Sequence, residues 1–306
     1  MIIASIDIGT NTILMLVAKI NPENNLVPLL NIHRIPRIGQ GVQTNGKILP
    51  EKIIDLINII AEYIEIANQL NSDIILLTAT NVFRIASNAD EIINIIQSKF
   101  HLMIDVISGE QEAKYSYLGV LSGMIFQKGC IVIDIGGGST EIIIGNEKSI
   151  SFKKSFHIGA VSAKEKFFSI DPPLTNQIVE FKSYLDELFI DLEQLNTFDL
   201  QAVAIAGTPT TLACIKNNLK DYNEAVIEGS DLVISEVKSF EKTLSTINSK
   251  EIKMNYGNIM NGREDIIYAG TAILASLMTK LKLKKVMVSS RGIRYGAIIN
   301  YVLNSK

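Results

Sequence analysis

Two stretches of the chain share one pattern of apolar and polar positions. Ile2 to Ile8 is apolar apart from Ser5 and Asp7, then Gly9-Thr10-Asn11-Thr12 is polar, then Ile13 to Ile20 is apolar apart from Lys19. Cys130-Ile131-Val132-Ile133-Asp134-Ile135 leads in the same way into Gly136-Gly137-Gly138-Ser139-Thr140-Glu141 and on to Ile142-Ile143-Ile144. Each reads as strand, carboxylate, glycine-bearing turn, strand, and Ile-Asp-Ile-Gly recurs word for word at 6–9 and 133–136. Three consecutive glycines are expected to take positive φ and turn tightly. Their unshielded N–H groups can then converge on an anion, with Ser139 and Thr140 adding hydroxyls. Asp134 would repel a phosphate but can meet it through a divalent cation. One glycine run alone reads as an ordinary hairpin. Its repetition points to two phosphate-binding hairpins, in two similar domains facing each other across a cleft.

The remaining pattern alternates strands with helices. Leu26 to Arg34 is a third strand candidate, followed by the loop Arg34-Ile35-Pro36-Arg37-Ile38-Gly39-Gln40-Gly41-Val42. Ile53, Ile57, Ile60, Ile64 and Ala67 follow a helical period behind Pro50. Ile74 to Leu77 is a short strand whose polar end runs to Arg84, at the carboxyl edge where open α/β sheets present ligand groups. Residues 89–99 read as helix and 103–107 as strand. Ser108 then caps a helix to about Leu121, with Gln111 completing a capping box. Locally, Glu110 and Glu112 read as first-turn acids that favour the helix dipole, with a general base as the alternative.

In the second half, residues 148–157 form a strand and a helix reaches Phe168. Asp171-Pro172-Pro173 interrupts the chain before an amphipathic helix from Thr175 to about Leu195. Ala202 to Ala206 is a strand opening into Gly207-Thr208-Pro209-Thr210-Thr211, a helix start with free donors for an anion. Residues 233–247 read as helix. The Gly/Asn-rich loop from Tyr256 to Asp265 starts another helix, through about Leu281. Lys285 to Val288 is the last strand, and a final helix follows.

A length of 306 residues is consistent with about two domains, and 47% hydrophobic residues supply two cores. A net charge of −3 gives no global field toward nucleic acid or membrane. The two cysteines, Cys130 and Cys214, have no metal-binding spacing and read as reduced core residues. The three histidines, His33, His101 and His157, form no metal motif. Apolar stretches such as Ile53 to Ile66 carry acids within them, so no membrane span is expected. Without a basic leader at the N-terminus, a cytoplasmic location is the expectation.

Together these words resemble the exopolyphosphatase/guanosine pentaphosphatase (Ppx/GppA) family from end to end. The matching residues are Asp7-Ile8-Gly9-Thr10-Asn11-Thr12, Ala79-Thr80 with Arg84, and Ser108-Gly109-x-x-Glu112-Ala113. They continue through Asp134-Ile135-Gly136-Gly137-Gly138-Ser139-Thr140-Glu141, Gly207-Thr208-x-Thr210-Thr211-Leu212-Ala213 and Ser290-x-Gly292-x-Arg294-x-Gly296. Sugar kinases, actin and chaperone ATPases have similar hairpins but lack the Ser-Gly-x-x-Glu-Ala word.

The resemblance implies an α/β, actin-like (ribonuclease H-like) duplicated two-domain fold. Domain I would cover 1–122, completed by a helix over about 292–306, and domain II 123–291. It implies hydrolysis of the terminal phosphoanhydride of inorganic polyphosphate, or of the 5′-phosphate of pppGpp. Glu112 matches the family's catalytic glutamate, which overrules the capping reading, and would take a proton from the attacking water. Asp134, with Asp7 in the other hairpin, would hold Mg²⁺, and a monovalent cation is a second candidate. Thr10, Asn11, Thr12, Gly136, Gly137, Gly138, Ser139 and Glu141 would line the phosphate, with Gly207, Thr208 and Thr210 in the second domain's wall. Arg84 and Arg263 would offset substrate charge. No Cys or Ser is placed as a covalent nucleophile beside a His base.

The chain departs from the family pattern at several positions. Leu14 stands where many members have Arg or His, Gln111 replaces the first of two glutamates, and Pro209 replaces an alanine. The chain ends at Lys306, short of the C-terminal helical domain of longer relatives, so shorter polyphosphates are the expected substrates. Lys280, Lys282, Lys284 and Lys285 read equally as a basic landing site or as solvated surface. The expected partners are the substrate and a second copy of the chain, without nucleic acid or membrane. The competing readings are a non-catalytic alarmone or polyphosphate-binding regulator and an ATP-dependent kinase or ATPase of the same fold.

Overall fold

The computed structural model describes residues 1–23 and 25–305. The chain divides into two compact units, Met1–Met124 with Arg291–Lys306, and Ile125–Ser290.

The first unit is built on β1 (Ile2–Ile8), β2 (Ile13–Ile20), β3 (Leu26–Arg34), β4 (Ile74–Ala79) and β5 (Ile104–Val106). Their order is β3-β2-β1-β4-β5. β1, β2 and β3 pair antiparallel, while β4 and β5 continue parallel to β1. β1 is apolar on both faces because both are covered, as parallel strands require. Ala4, Ile6, Ile8, Met15 and Val17 share a core with Leu56, Ile60 and Tyr63 of the helix Pro50–Gln69. The opposite face packs Ile3, Leu16 and Ala18 against Tyr295 and Ile298 of the helix Ile293–Asn304.

The second unit holds β6 (Cys130–Ile135), β7 (Thr140–Gly145), β8 (Ile150–Phe156), β9 (Gln201–Ile205), β10 (Asp231–Val233) and β11 (Lys285–Val288). Their order is β10-β11-β9-β6-β7-β8. Taken from β8, the run β8-β7-β6-β9-β11 repeats β3-β2-β1-β4-β5 in both order and direction. β10 is an added antiparallel edge. Two sheets of one topology make this the duplicated actin-like, ribonuclease H-like fold.

The structure differs from the sequence pattern in five places. The helix expected to reach Leu195 ends at Leu188, and residues 190–194 form a 3₁₀ turn. Its three-residue period keeps Phe189 and Leu192 both buried, with Phe189 edge-on to Phe156 at 4.9 Å. Asn81–Ile85, read as the polar end of a strand, is a short helix. The segment 233–247 resolves into β10 and the helix Ile234–Leu244. A separate helix, Ser249–Tyr256, follows, capped reciprocally by Asn248 and Glu251. The Gly/Asn loop carries its own 3₁₀ turn, Gly257–Met260, before the helix Ile267–Lys280. Among the described residues no helix is long and apolar enough to cross a membrane.

Candidate active site

In the first unit, Asp7 sits near the end of β1, and the turn behind it is closed by Gly9 N–H donating to the Thr12 carbonyl at 3.0 Å. Asp7, Thr10, Asn11 and Thr12 are all buried. The loop 37–39 lies against this turn. Gly39 N–H donates to the Thr10 carbonyl at 2.8 Å and Arg37 N–H to the Asn11 carbonyl at 3.0 Å. In a trans peptide the C=O and the following N–H point opposite ways. Engaging those two carbonyls therefore turns the N–H groups of Asn11 and Thr12 away from the loop.

The second unit repeats the device with a helix instead of a loop. Gly136 N–H closes the turn on the Ser139 carbonyl, again at 3.0 Å. The start of the helix Ala160–Phe167 takes the turn's carbonyls. Ala160 N–H donates to Gly136 O at 3.0 Å, and Val161 and Ser162 N–H to Gly137 O at 2.8 and 3.0 Å. Ser162 Oγ donates to Gly138 O at 3.3 Å. Three successive carbonyls face the helix, so the N–H groups of Gly137, Gly138 and Ser139 face the other way, a concave donor row that suits an oxyanion. None of the three glycines has the positive φ expected of them. The close approach is at Gly159, where an added Cβ would sit 2.6 Å from both Gly136 O and the Gly137 carbonyl carbon.

Asp134 stands directly across the hairpin from Glu141, and Glu141 across from Ser155. Ser155 Oγ donates to Glu141 Oε1 at 2.7 Å, a supporting contact that the sequence reading did not find. Asp134 is 5% exposed and Glu141 fully buried. Among the described residues no group of three or more His, Cys, Asp or Glu side chains gathers.

Glu112 lies in the first turn of the helix Gly109–Leu121. The helix is capped without it, through Ser108 and Gln111. Glu112 is instead 5% exposed, and its Oε2 accepts from Arg84 Nη1 at 2.8 Å. The same nitrogen reaches the Ile107 carbonyl at 2.7 Å. Arg84, expected to face substrate, thus braces the candidate base from the helix Asn81–Ile85.

In the second unit, β9 opens into the helix Gly207–Lys216 through Ala206, held at φ 73° and ψ −165°. This region is essentially reserved for glycine. Thr210 Oγ1 donates to the Ala206 and Gly207 carbonyls at 2.8 and 3.1 Å, so its proton secures the helix start. Arg263 lies across Gly207, where an added Cβ would fall 1.6 Å from Nη1. Desolvation draws the Arg263 pKa below the ordinary arginine value, from so high a start that the charge stays. Thr208 packs against Gly270 of the helix Ile267–Lys280. The lysine row is partly neutralised: Lys280 pairs with Asp186 and Glu193 at 3.4 and 2.8 Å, and Lys285 with Asp231 at 2.7 Å.

The sequence profile of the Ppx/GppA phosphatase family matches residues 16–305. A bifunctional 3-dehydroquinate synthase/phosphatase of Fusobacterium nucleatum is 30% identical over 98% of this chain and 46% of its own length. Exopolyphosphatase 2 of Mycobacterium tuberculosis is 27% identical over 92% of this chain and 91% of its own. The crystal structure of the Aquifex aeolicus member of the Ppx/GppA family superposes with a TM-score of 0.83 at 28% identity, covering 100% of this chain and 99% of that one.

Proposed function

The chain belongs to the Ppx/GppA phosphatase family, and from that membership we propose that it is a phosphohydrolase that releases the terminal phosphate of inorganic polyphosphate, with pppGpp as the second substrate of the same chemistry. The observation that carries this reading is the outward row of N–H groups at Gly137, Gly138 and Ser139, repeated at Asn11 and Thr12. Fixed donors of this kind bind phosphate oxygens and favour the charge that spreads over them in transfer. Arg263 and the start of the helix Gly207–Lys216 add positive potential in the second unit.

Glu112 takes a proton from the water that attacks the terminal phosphorus. The bond to the bridging oxygen breaks, and the shortened chain leaves as the anion. Arg84 holds the Glu112 carboxylate in place through the Nη1–Oε2 contact. Asp134, with Glu141 opposite it across the hairpin, would hold Mg²⁺ in the second unit, and Asp7 is the corresponding carboxylate of the first. That ion, when bound, neutralises charge on the phosphate.

Phosphate release is measured with Mg²⁺ from tripolyphosphate, long polyphosphate, pppGpp and ATP, beside Glu112→Gln. Release from polyphosphate or pppGpp, falling about 10²- to 10⁴-fold in the variant, is the expected result. Release from ATP alone, or from none of them, overturns the proposal.

A further inference from the structure

A helix start leaves its first four N–H groups without partners inside the helix. In the helix Ala160–Phe167 all four are taken up. Ala160, Val161 and Ser162 donate to the Gly136 and Gly137 carbonyls, and Gly159 N–H donates to Ser162 Oγ at 2.9 Å. The helix therefore turns its N–H groups toward the glycine turn, and the turn's peptides present their own N–H groups on the far side. Hydrogen bonds in a chain polarise one another. Each carbonyl that accepts from the helix makes the N–H across the same peptide a better donor. The positive end of the helix dipole acts on the anion through one layer of peptide.

Gly136 O and Gly137 O are held by backbone donors. The third carbonyl, Gly138 O, stands opposite the Ser139 N–H in its peptide, and a side chain holds it: Ser162 Oγ, at 3.3 Å. That hydroxyl has one proton to give. The Gly159 carbonyl is also within its reach, at 3.4 Å, but already accepts the Ala163 N–H at 2.9 Å. The proton therefore serves Gly138. Ser162 is 6% exposed, so the bond is kept from water. The first unit engages the equivalent carbonyl. Gly9 and Thr12 close its turn as Gly136 and Ser139 close the other, which places Asn11 O where Gly138 O stands. Asn11 O accepts from the Arg37 N–H at 3.0 Å. The same carbonyl is tied in both units, by backbone in one and by a hydroxyl in the other.

We infer that Ser162 is a positioning residue of the second unit's phosphate turn: its hydroxyl fixes and polarises the Gly138–Ser139 peptide so that the Ser139 N–H meets a phosphate oxygen. It acts through that peptide rather than by touching the anion. At 3.3 Å the bond is long for a hydroxyl donor, and an anion drawing on the Ser139 N–H from the far side tightens it. Ser162 therefore contributes most as charge spreads over the phosphate oxygens during transfer, and its loss lowers kcat more than it raises KM. The inference rests on the proposed phosphohydrolase reading for the identity of the anion.

Amide NMR and kinetics test it on the wild type, Ser162→Ala and Ser162→Cys. Cysteine nearly fills the space of serine but donates weakly, so it separates the hydrogen bond from packing, and it carries the test if the alanine variant does not fold. Orthophosphate is expected to move the amide protons of Gly137, Gly138 and Ser139 downfield in the wild type, with the Ser139 shift selectively reduced in both variants. With tripolyphosphate and Mg²⁺, both variants are expected to lose about threefold to tenfold in kcat, with KM within about twofold. A Ser162→Cys protein that behaves as wild type assigns Ser162 to packing and overturns the inference. Equal reduction of all three shifts, or no shift in the wild type, also overturns it. Phosphate release by the wild type, with either readout unchanged in the variants, removes this role for Ser162 and leaves the proposed function. Selective reduction at Ser139 in a chain that releases no phosphate does the reverse.

Discussion

Arg84 Nη1 lies 2.8 Å from Glu112 Oε2, in a pair whose side chains are 20% and 6% exposed. A carboxylate so enclosed is tolerated only with its partner, and removing one member of a buried pair costs more than the pair contributes. Arg84→Met is therefore expected to lower unfolding free energy by about 2–4 kcal/mol. Glu112→Gln, which removes the charge that needs pairing, is expected to cost less. The double variant should recover about 1 kcal/mol or more relative to the sum. Urea unfolding of the four proteins measures this, and simple additivity would break the link between the two residues.

The close approach at Gly159 makes a sharper demand on the phosphate turn than on the fold. A methyl there meets backbone at Gly136 and Gly137, so the turn must move by some tenths of an ångström. Gly159→Ala is expected to reduce phosphate release at least tenfold, since small displacements of a positioned group are costly. Gly39→Ala in the first unit first meets the side-chain methyl of Thr10, which can rotate. Its loss should be smaller when the two are assayed side by side.

Ala206 is held where only glycine is at ease, at φ 73°. Ala206→Gly is expected to raise unfolding free energy by about 1 kcal/mol, the lower end of the strain such a residue stores. Thermal and urea unfolding should agree on the sign. A loss of stability would mean that the entropy of the added glycine outweighs the strain.

Cys130 and Cys214 are both buried and reduced. Burial pushes the Cys214 thiol up from its ordinary value, so less thiolate forms at any given pH, and it is the thiolate that reacts. Iodoacetamide at neutral pH is expected to leave both cysteines unmodified in the folded protein and to label both in urea, as read by mass.

The hairpins, the strand succession and the capping box at Ser108 were legible because each rests on neighbours in sequence. Ile-Asp-Ile-Gly repeated at 6–9 and 133–136 announced the duplication before any topology was known. Long-range partners were not legible. Glu112 looked like a capping residue because its ion pair is 28 residues away in the chain, and Ser155 has no local mark of its bond to Glu141. The glycines of the Gly136–Gly138 run suggested positive φ, which none of them takes, and the close approach of Gly159 to that turn had no local mark. The helix Ser249–Tyr256 was missed although Asn248 and Glu251 form an ordinary capping pair. Of the lysines near 280–285, Lys280 and Lys285 pair with acids on other elements.

The first unit takes one wall of its core from the helix Ile293–Asn304, which packs Tyr295 and Ile298 on Ile3, Leu16 and Ala18. The second unit is a single uninterrupted run of chain, Ile125–Ser290. During synthesis on the ribosome, β1 therefore emerges well before that helix and waits with one face bare. The later-made unit can close while the earlier one is still incomplete, reversing the usual N-terminal-first order of domain folding.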